Sequence, residues 1–138
     1  PGVFAGFAMG GGAAMAALEA RLTASFPDAV SIHTIRSPRY EEWLCEIAPA
    51  GVTKWSGVTR VAAGWGIGPA EICAVGDDLN DLPMVREAGL GLAMGNARPE
   101  LQAAADAVVG FNDGSGIEDV AELVLARAAQ PAPPAGTP

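Results

Sequence analysis

Three short apolar runs, EICAV (71–75), LGLAM (90–94) and AVVGF (107–111), restrict the folds open to this chain more than any other feature. Each is followed by a segment of helical character: LNDLPMVREAG (79–89), RPELQAAAD (98–106) and SGIEDVAELVLARAA (115–129). Strands that read as nearly unbroken apolar runs are buried on both faces. Their alternation with helices predicts an α/β fold, a Rossmann-like parallel sheet with helices on both faces. A further helix is predicted before the first run, over TKWSGVTRVAAGW (53–65). There Val58, Val61, Ala62 and Trp65 recur at helical spacing, while Gly57 and Gly64 weaken the helix. Pro83 and Pro99 fit within first turns, and Gly89 closes the helix it follows.

The earlier part of the chain has another style. Residues 1–12 are glycine-rich and fit no element. A helix is expected over 13–25, with Leu18 and Leu22 four apart, ended by Phe26-Pro27-Asp28. Strands follow at 29–35 and 40–47, joined by a turn at RSPR (36–39). In the second strand Glu41, Trp43, Cys45 and Ile47 form the more apolar side; Tyr40, Glu42, Leu44 and Glu46 form the other. This sheet-and-helix unit reads as the end of a larger α+β unit. APAG (48–51) marks the boundary, and residues 130–138, QPAPPAGTP, read as a flexible proline-rich tail.

Of the 138 residues, 50% are apolar and 17% charged, enough to bury a core. A net charge of −8 with no basic patch argues against nucleic acid as the main partner. No stretch has the length and purity of a membrane span. Cys45 and Cys73 match no zinc or redox spacing and read as buried thiols, which suits a cytoplasmic location. Trp43, Trp55 and Trp65 read as packing residues, and His33, alone on a strand, as structural. The chain opens at Pro1 without an initiating methionine and is read as having lost its beginning.

In parallel sheets, ligands gather at the carboxyl ends of the strands. GDDLND, GNA and NDGSG all fall there. Asp77, Asp78 and Asp81 crowd carboxylates that repel unless a cation or protons intervene. Such oxygen ligands suit Mg2+, which keeps several waters and joins a phosphate. The competing reading has Asp78 capping a helix and Asp81 serving its first turn. A receiver-like regulatory domain would also collect acids at a strand end. Lys54, at the start of the helix before the acidic strand, offers the charge to neutralise a phosphate, or is a surface lysine. Asn80 is a candidate to donate to phosphate or to orient Asp77; Asn96 and Asn112 are candidates for similar supporting contacts, or ordinary turn residues.

Taken together, VTKWSGVTRVAAGWGI, ICAVGDDLNDLPMVREAGLGLAMGNA and ADAVVGFNDGSGI resemble the haloacid dehalogenase-like superfamily. More narrowly, they resemble its Cof-type sugar-phosphate phosphatases with a large cap domain. The similarity covers roughly residues 40–125. The resemblance implies that Lys54 contacts phosphate, Asp77 ligates magnesium, Asn80 binds phosphate and Asp81 supports the metal shell. It makes residues 1–47 the carboxyl-terminal part of the cap and 48–129 that of the core. The implied activity is magnesium-dependent hydrolysis of a small phosphorylated metabolite through an aspartyl phosphate. Two departures stand out. Trp55 occupies a position that is usually glycine or small. No DxD, the family's nucleophile motif, occurs in the chain. The expectation is therefore a carboxyl-terminal portion, inactive alone, that needs its amino-terminal part or self-associates through an exposed sheet edge. The alternatives are a noncatalytic magnesium- or phosphate-binding regulatory module, and a partner-dependent subunit of a split phosphatase.

Overall fold

The computed structural model describes residues 5–37 and 41–129. The chain divides into two compact units, Pro1–Gly57 and Val58–Pro138. Tyr40, part of the turn at 36–39 and the tail at 130–138 lie outside the described residues.

The first unit contains β1 (Gly6–Gly10), α1 (Gly12–Ser25), β2 (Val30–Arg36) and β3 (Trp43–Pro49). Its sheet has the order β1-β3-β2, with β3 antiparallel to both neighbours. β1 was not legible in the sequence. GFAMG has no β-branched residue, and its strand character comes from pairing with β3: Ala8 stands opposite Cys45, which in turn faces Thr34. Cys45 is fully buried, and among the described residues Met15 of α1 is the other buried apolar side chain of this unit outside α2. Gly12 starts α1 where a Cβ would meet the indole of Trp43 at 2.7 Å, so a larger residue would displace the ring. β3 runs two residues beyond its expected end. The predicted boundary at APAG therefore begins inside the strand, with the turn at Ala50–Gly51 (φ +77° at Gly51).

α2 (Lys54–Ala63) begins in the first unit and ends in the second. Its start is fixed by a reciprocal cap: Ser56 N–H donates to Thr53 Oγ1 at 3.1 Å and Thr53 N–H donates to Ser56 Oγ at 2.9 Å. Thr53→Ala is expected to cost about 1 kcal/mol and fray the turn that carries Lys54, measurable by urea unfolding. The structure covers only part of the apolar set that recurs at helical spacing in α2, and it overturns the reading of Trp65 as a packing residue. Trp55 (7% exposed) and Ala62 are buried, whereas Val58, Val61 (58%) and Trp65 (76%) are exposed. Gly66 then ends the segment with φ +74°, a conformation that favours glycine.

The second unit has a parallel sheet in the order β4-β5-β6, as the solid apolar runs predict. β4 is Cys73–Gly76, β5 Leu90–Ala93 and β6 Ala107–Val108. Between them lie α3 (Leu82–Glu87) and α4 (Pro99–Gln102); α5 (Gly116–Ala128) follows. Several elements are shorter than expected. A 3-10 turn at Pro69–Glu71 delays β4, and a second at Leu79–Asp81 delays α3. α4 stops at Gln102, and β6 is two residues long rather than five. The core joins Val85, Leu92, Met94, Leu101 and Val109, with Leu92 and Leu101 fully buried. Gly89 does not close α3 through a left-handed conformation. Its role is clearance, because a Cβ there would strike the backbone of Ala70. Cys73 is exposed rather than buried, a second correction. Partial desolvation still pushes its thiol above the ordinary value, opposed by the Arg127 charge. Among the described residues, no helix is long and apolar enough to cross a membrane.

Candidate functional site

β4 ends at Gly76, and the next two residues are Asp77 and Asp78. The three acids of this turn have different surroundings. Asp81 is buried, 3% exposed, and its Oδ2 accepts the N–H of Asp77 at 3.1 Å and of Asp78 at 3.3 Å. Asp78 Oδ1 accepts the N–H of Leu79 at 2.7 Å and starts the 3-10 turn. Arg98 Nε donates to the same oxygen at 3.4 Å, a solvent-washed pair worth little by itself. Two of the three carboxylates are thus committed to shaping the backbone, and the capping reading of Asp78 and Asp81 describes their contacts. Asp77 differs. It is exposed, and its Oδ2 receives Asn112 Nδ2 at 3.4 Å. Gly76 makes the arrangement possible, since a Cβ there would overlap the Asp81 side chain.

The three polar turns form one stitched surface. Gly76 O accepts Met94 N–H at 2.9 Å, and Asp77 O accepts Arg98 N–H at 3.1 Å. These bonds fasten the loop after β5 to the acidic turn. Gly95 N–H donates to Gly110 O at 3.0 Å, and Asn112 N–H donates to Asn96 Oδ1 at 3.0 Å. Those two join the β5 loop to the β6 loop.

Asp77, Asp78, Asp81, Asn96 and Asn112 are therefore brought together. Asn80 lies in the same turn, within Leu79–Asp81. Lys54 is the exposed first residue of α2 and belongs to the first unit. His33 lies on β2 opposite Glu46, and among the described residues its Nε2 meets no hydrogen-bond partner.

Sequence reading missed the residues that brace the turns. Asp119 Oδ2 accepts Gly110 N–H at 2.8 Å and Ser115 Oγ–H at 3.4 Å. Gln102 Nε2 donates to Gly95 O at 3.0 Å, and Asp106 Oδ2 accepts Gly91 N–H at 2.8 Å. Asp119 had a signal in its position, an acid in the first turn of a helix.

Among the described residues, no group of three or more His, Cys, Asp or Glu side chains is arranged to hold a metal. An exposed carboxylate at a strand end suits a hard cation that keeps most of its waters. A cavity of about 220 Å³ lies elsewhere, at the amino ends of β4 and β5, lined by Ile72, Cys73, Leu90 and Arg127. It shares no residue with the acidic turn.

Residues 12–120 match the family model of the haloacid dehalogenase-like hydrolases. The stress response protein YhaX of Bacillus subtilis (strain 168) is 45% identical over 71 residues, covering 51% of this chain and 25% of that protein. A haloacid dehalogenase-like hydrolase from Bacteroides thetaiotaomicron superposes with a TM-score of 0.70 at 29% identity, covering 89% of this chain and 44% of that one. The subclass IIB sugar phosphatase BT4131 superposes with a TM-score of 0.64 at 30% identity, covering 76% of this chain and 38% of that one. Phosphatases recur among the curated relatives. The chain spans less than a third of the length of the curated relatives it first matches.

Proposed function

Because the chain belongs to the haloacid dehalogenase-like hydrolase family and resembles its Cof-type phosphatases, we propose that it supplies the metal- and phosphate-binding part of a magnesium-dependent phosphomonoester hydrolase. The substrate class is a small phosphorylated metabolite such as a sugar phosphate. The observation that carries this reading is the division of labour in the acidic turn. Asp81 and Asp78 fix the backbone, and Asp77 keeps an exposed carboxylate in a turn stitched to two asparagine-bearing loops.

In this reading Asp77 holds Mg2+, with Asp81 behind it and Asp78, Asn96 and Asn112 as supports. Asn80 donates to the phosphate, and Lys54 neutralises it. Bound magnesium supplies charge neutralisation and polarisation of a phosphoryl oxygen. The protein's part is to present the Asp77 carboxylate at the surface and to hold it still, through the neutral amide of Asn112. Residues 1–47 are the carboxyl-terminal part of a cap, and 48–129 that of the catalytic core. We place the protein in the cytoplasm, where two free thiols persist.

The covalent route to an aspartyl phosphate needs an attacking carboxylate on a DxD strand, and the 138 residues contain none. The chain alone is therefore expected to release no phosphate from p-nitrophenyl phosphate above the buffer rate, with or without magnesium. Magnesium-dependent release by the pure chain would overturn this. A second reading, a subunit completed by a partner, is favoured by the sheet: β4 is an edge strand, and among the described residues it pairs with β5 alone. An open edge of this kind also favours self-association. The metal assignment is tested by calorimetric titration of Mg2+ into the chain, with and without inorganic phosphate. Saturable uptake that disappears in Asp77→Asn is expected. No uptake under either condition refutes it.

A further inference from the structure

We propose that Asn96 is a positioning residue that acts through Asn112 to set the carboxylate of Asp77. The proposal rests on the assignment of Asp77 as the magnesium-holding residue and adds how that carboxylate is aimed.

Asp77 sits on the loop after β4, Asn96 on the loop after β5 and Asn112 on the loop after β6. Asn96 Oδ1 accepts the backbone N–H of Asn112 at 3.0 Å, and the Nδ2 group of Asn112 then reaches Asp77 Oδ2 at 3.4 Å. One asparagine thus fixes the main chain of the second, and the second meets the acid through its side chain. The backbone of Asp77 is set independently, by Asp81 Oδ2 on its N–H and by Arg98 N–H on its carbonyl. The two asparagines therefore act on the orientation of the carboxylate and leave the course of the turn to other groups.

The β6 loop needs this anchor. β6 has only two residues, and the backbone bonds to the β5 side continue just past it, with Val109 N–H donating to Ala93 O at 2.9 Å and Gly95 N–H to Gly110 O at 3.0 Å. Beyond it, Gly110 is held by Asp119 and by Gly95, and Phe111 O takes the N–H groups of Gly114 and Gly116. Asn112 is exposed, and its backbone N–H is tied back to the β5 loop by Asn96 Oδ1. Asn96 is itself held in register, because the preceding Gly95 is fastened at both ends of its peptide: its N–H by Gly110 O and its carbonyl by Gln102. An amide suits the Asn112 position for a chemical reason. Its NH2 donates to a carboxylate without adding a positive charge that would compete with a cation.

The test uses the 138-residue chain, labelled with ¹⁵N, and magnesium chloride as the probe. In Asn96→Ala the backbone amide of Asn112 is expected to lose its exchange protection and change shift. The magnesium dissociation constant is expected to rise about 10-fold, the lower end of the effect of losing a group behind a ligand. The thermal midpoint should stay close to wild type, since both asparagines are exposed. Asn96→Asp keeps an acceptor oxygen and is expected to restore the Asn112 amide signal. An Asn112 amide and a magnesium affinity that are both unchanged in Asn96→Ala would overturn the proposal. So would a fall in affinity matched by a general loss of stability. If the wild-type chain takes up no magnesium, the metal assignment fails. The Asn112 amide and the Asp77 side-chain resonances then decide the positioning role: movement of both in Asn96→Ala supports it, and an unmoved Asp77 refutes it.

Discussion

Asp77→Asn is expected to lower kcat/KM for phosphate release by about 100-fold or more in an enzyme that joins this chain to its nucleophile-bearing strand. The substitution is nearly isosteric and falls on an exposed side chain, so the fold has no reason to change. Asp81 still accepts the N–H of residue 77, and Arg98 still donates to its carbonyl, because neither bond uses the side chain. The amide oxygen of the new residue can still accept from Asn112. What disappears is one negative charge from a stretch holding Asp77, Asp78 and Asp81. Removing it relieves like-charge repulsion, so stability should hold or rise slightly while activity falls. That opposite movement separates a ligand from a structural acid. Asp81→Asn should move both quantities down, since its buried carboxylate holds two backbone N–H groups. Parallel assays of turnover and urea unfolding on the two variants make the comparison. Full activity in Asp77→Asn would remove this residue from the metal site.

The contrast between Asp77 and Asp81 also shows what sequence reading reaches. The acidic turn, its place after β4 and the convergence of three polar turns on one sheet edge follow from apolar runs broken by Gly, Asp and Asn. Those signals are local, and the structure keeps them. The division of roles among the acids is not local. It depends on Gly76 leaving room for Asp81, and on Asn112 arriving from thirty-five positions along the chain. β1 was missed for the same reason, since GFAMG becomes a strand through pairing with β3 and not through its own propensity. Trp65 was misread as a packing residue because helical spacing alone does not say which stripe is covered. Trp55 and Ala62 are buried, while the longer stripe of Val58, Val61 and Trp65 is left exposed. The bracing acids Asp106 and Asp119 each bond a glycine N–H, a partner that sequence pattern does not announce.

Gly91→Ala should destabilise the second unit by about 3 kcal/mol or more, toward the upper end for forced overpacking. Gly91 lies in β5, the central strand, opposite Ala74 of β4. A Cβ at this position would land on the carbonyl oxygen of Val85 in α3, a backbone atom and not the movable end of a side chain. Relief requires moving the strand or the helix. β5 is held by ladders on both sides and by Asp106 Oδ2 on the N–H of Gly91. α3 follows directly on Asp81, so shifting it drags the turn that carries Asp77. Loss of stability should therefore come with weaker magnesium uptake, although residue 91 touches no candidate ligand. Gly57→Ala is the control. It lies inside α2 with nothing within 4 Å of the added methyl, and it should gain about 0.5–1 kcal/mol from helix propensity. Urea unfolding followed by far-ultraviolet circular dichroism compares the midpoints at constant m. A Gly91→Ala midpoint at or above wild type would mean that β5 and α3 do not approach as closely as this structure has them.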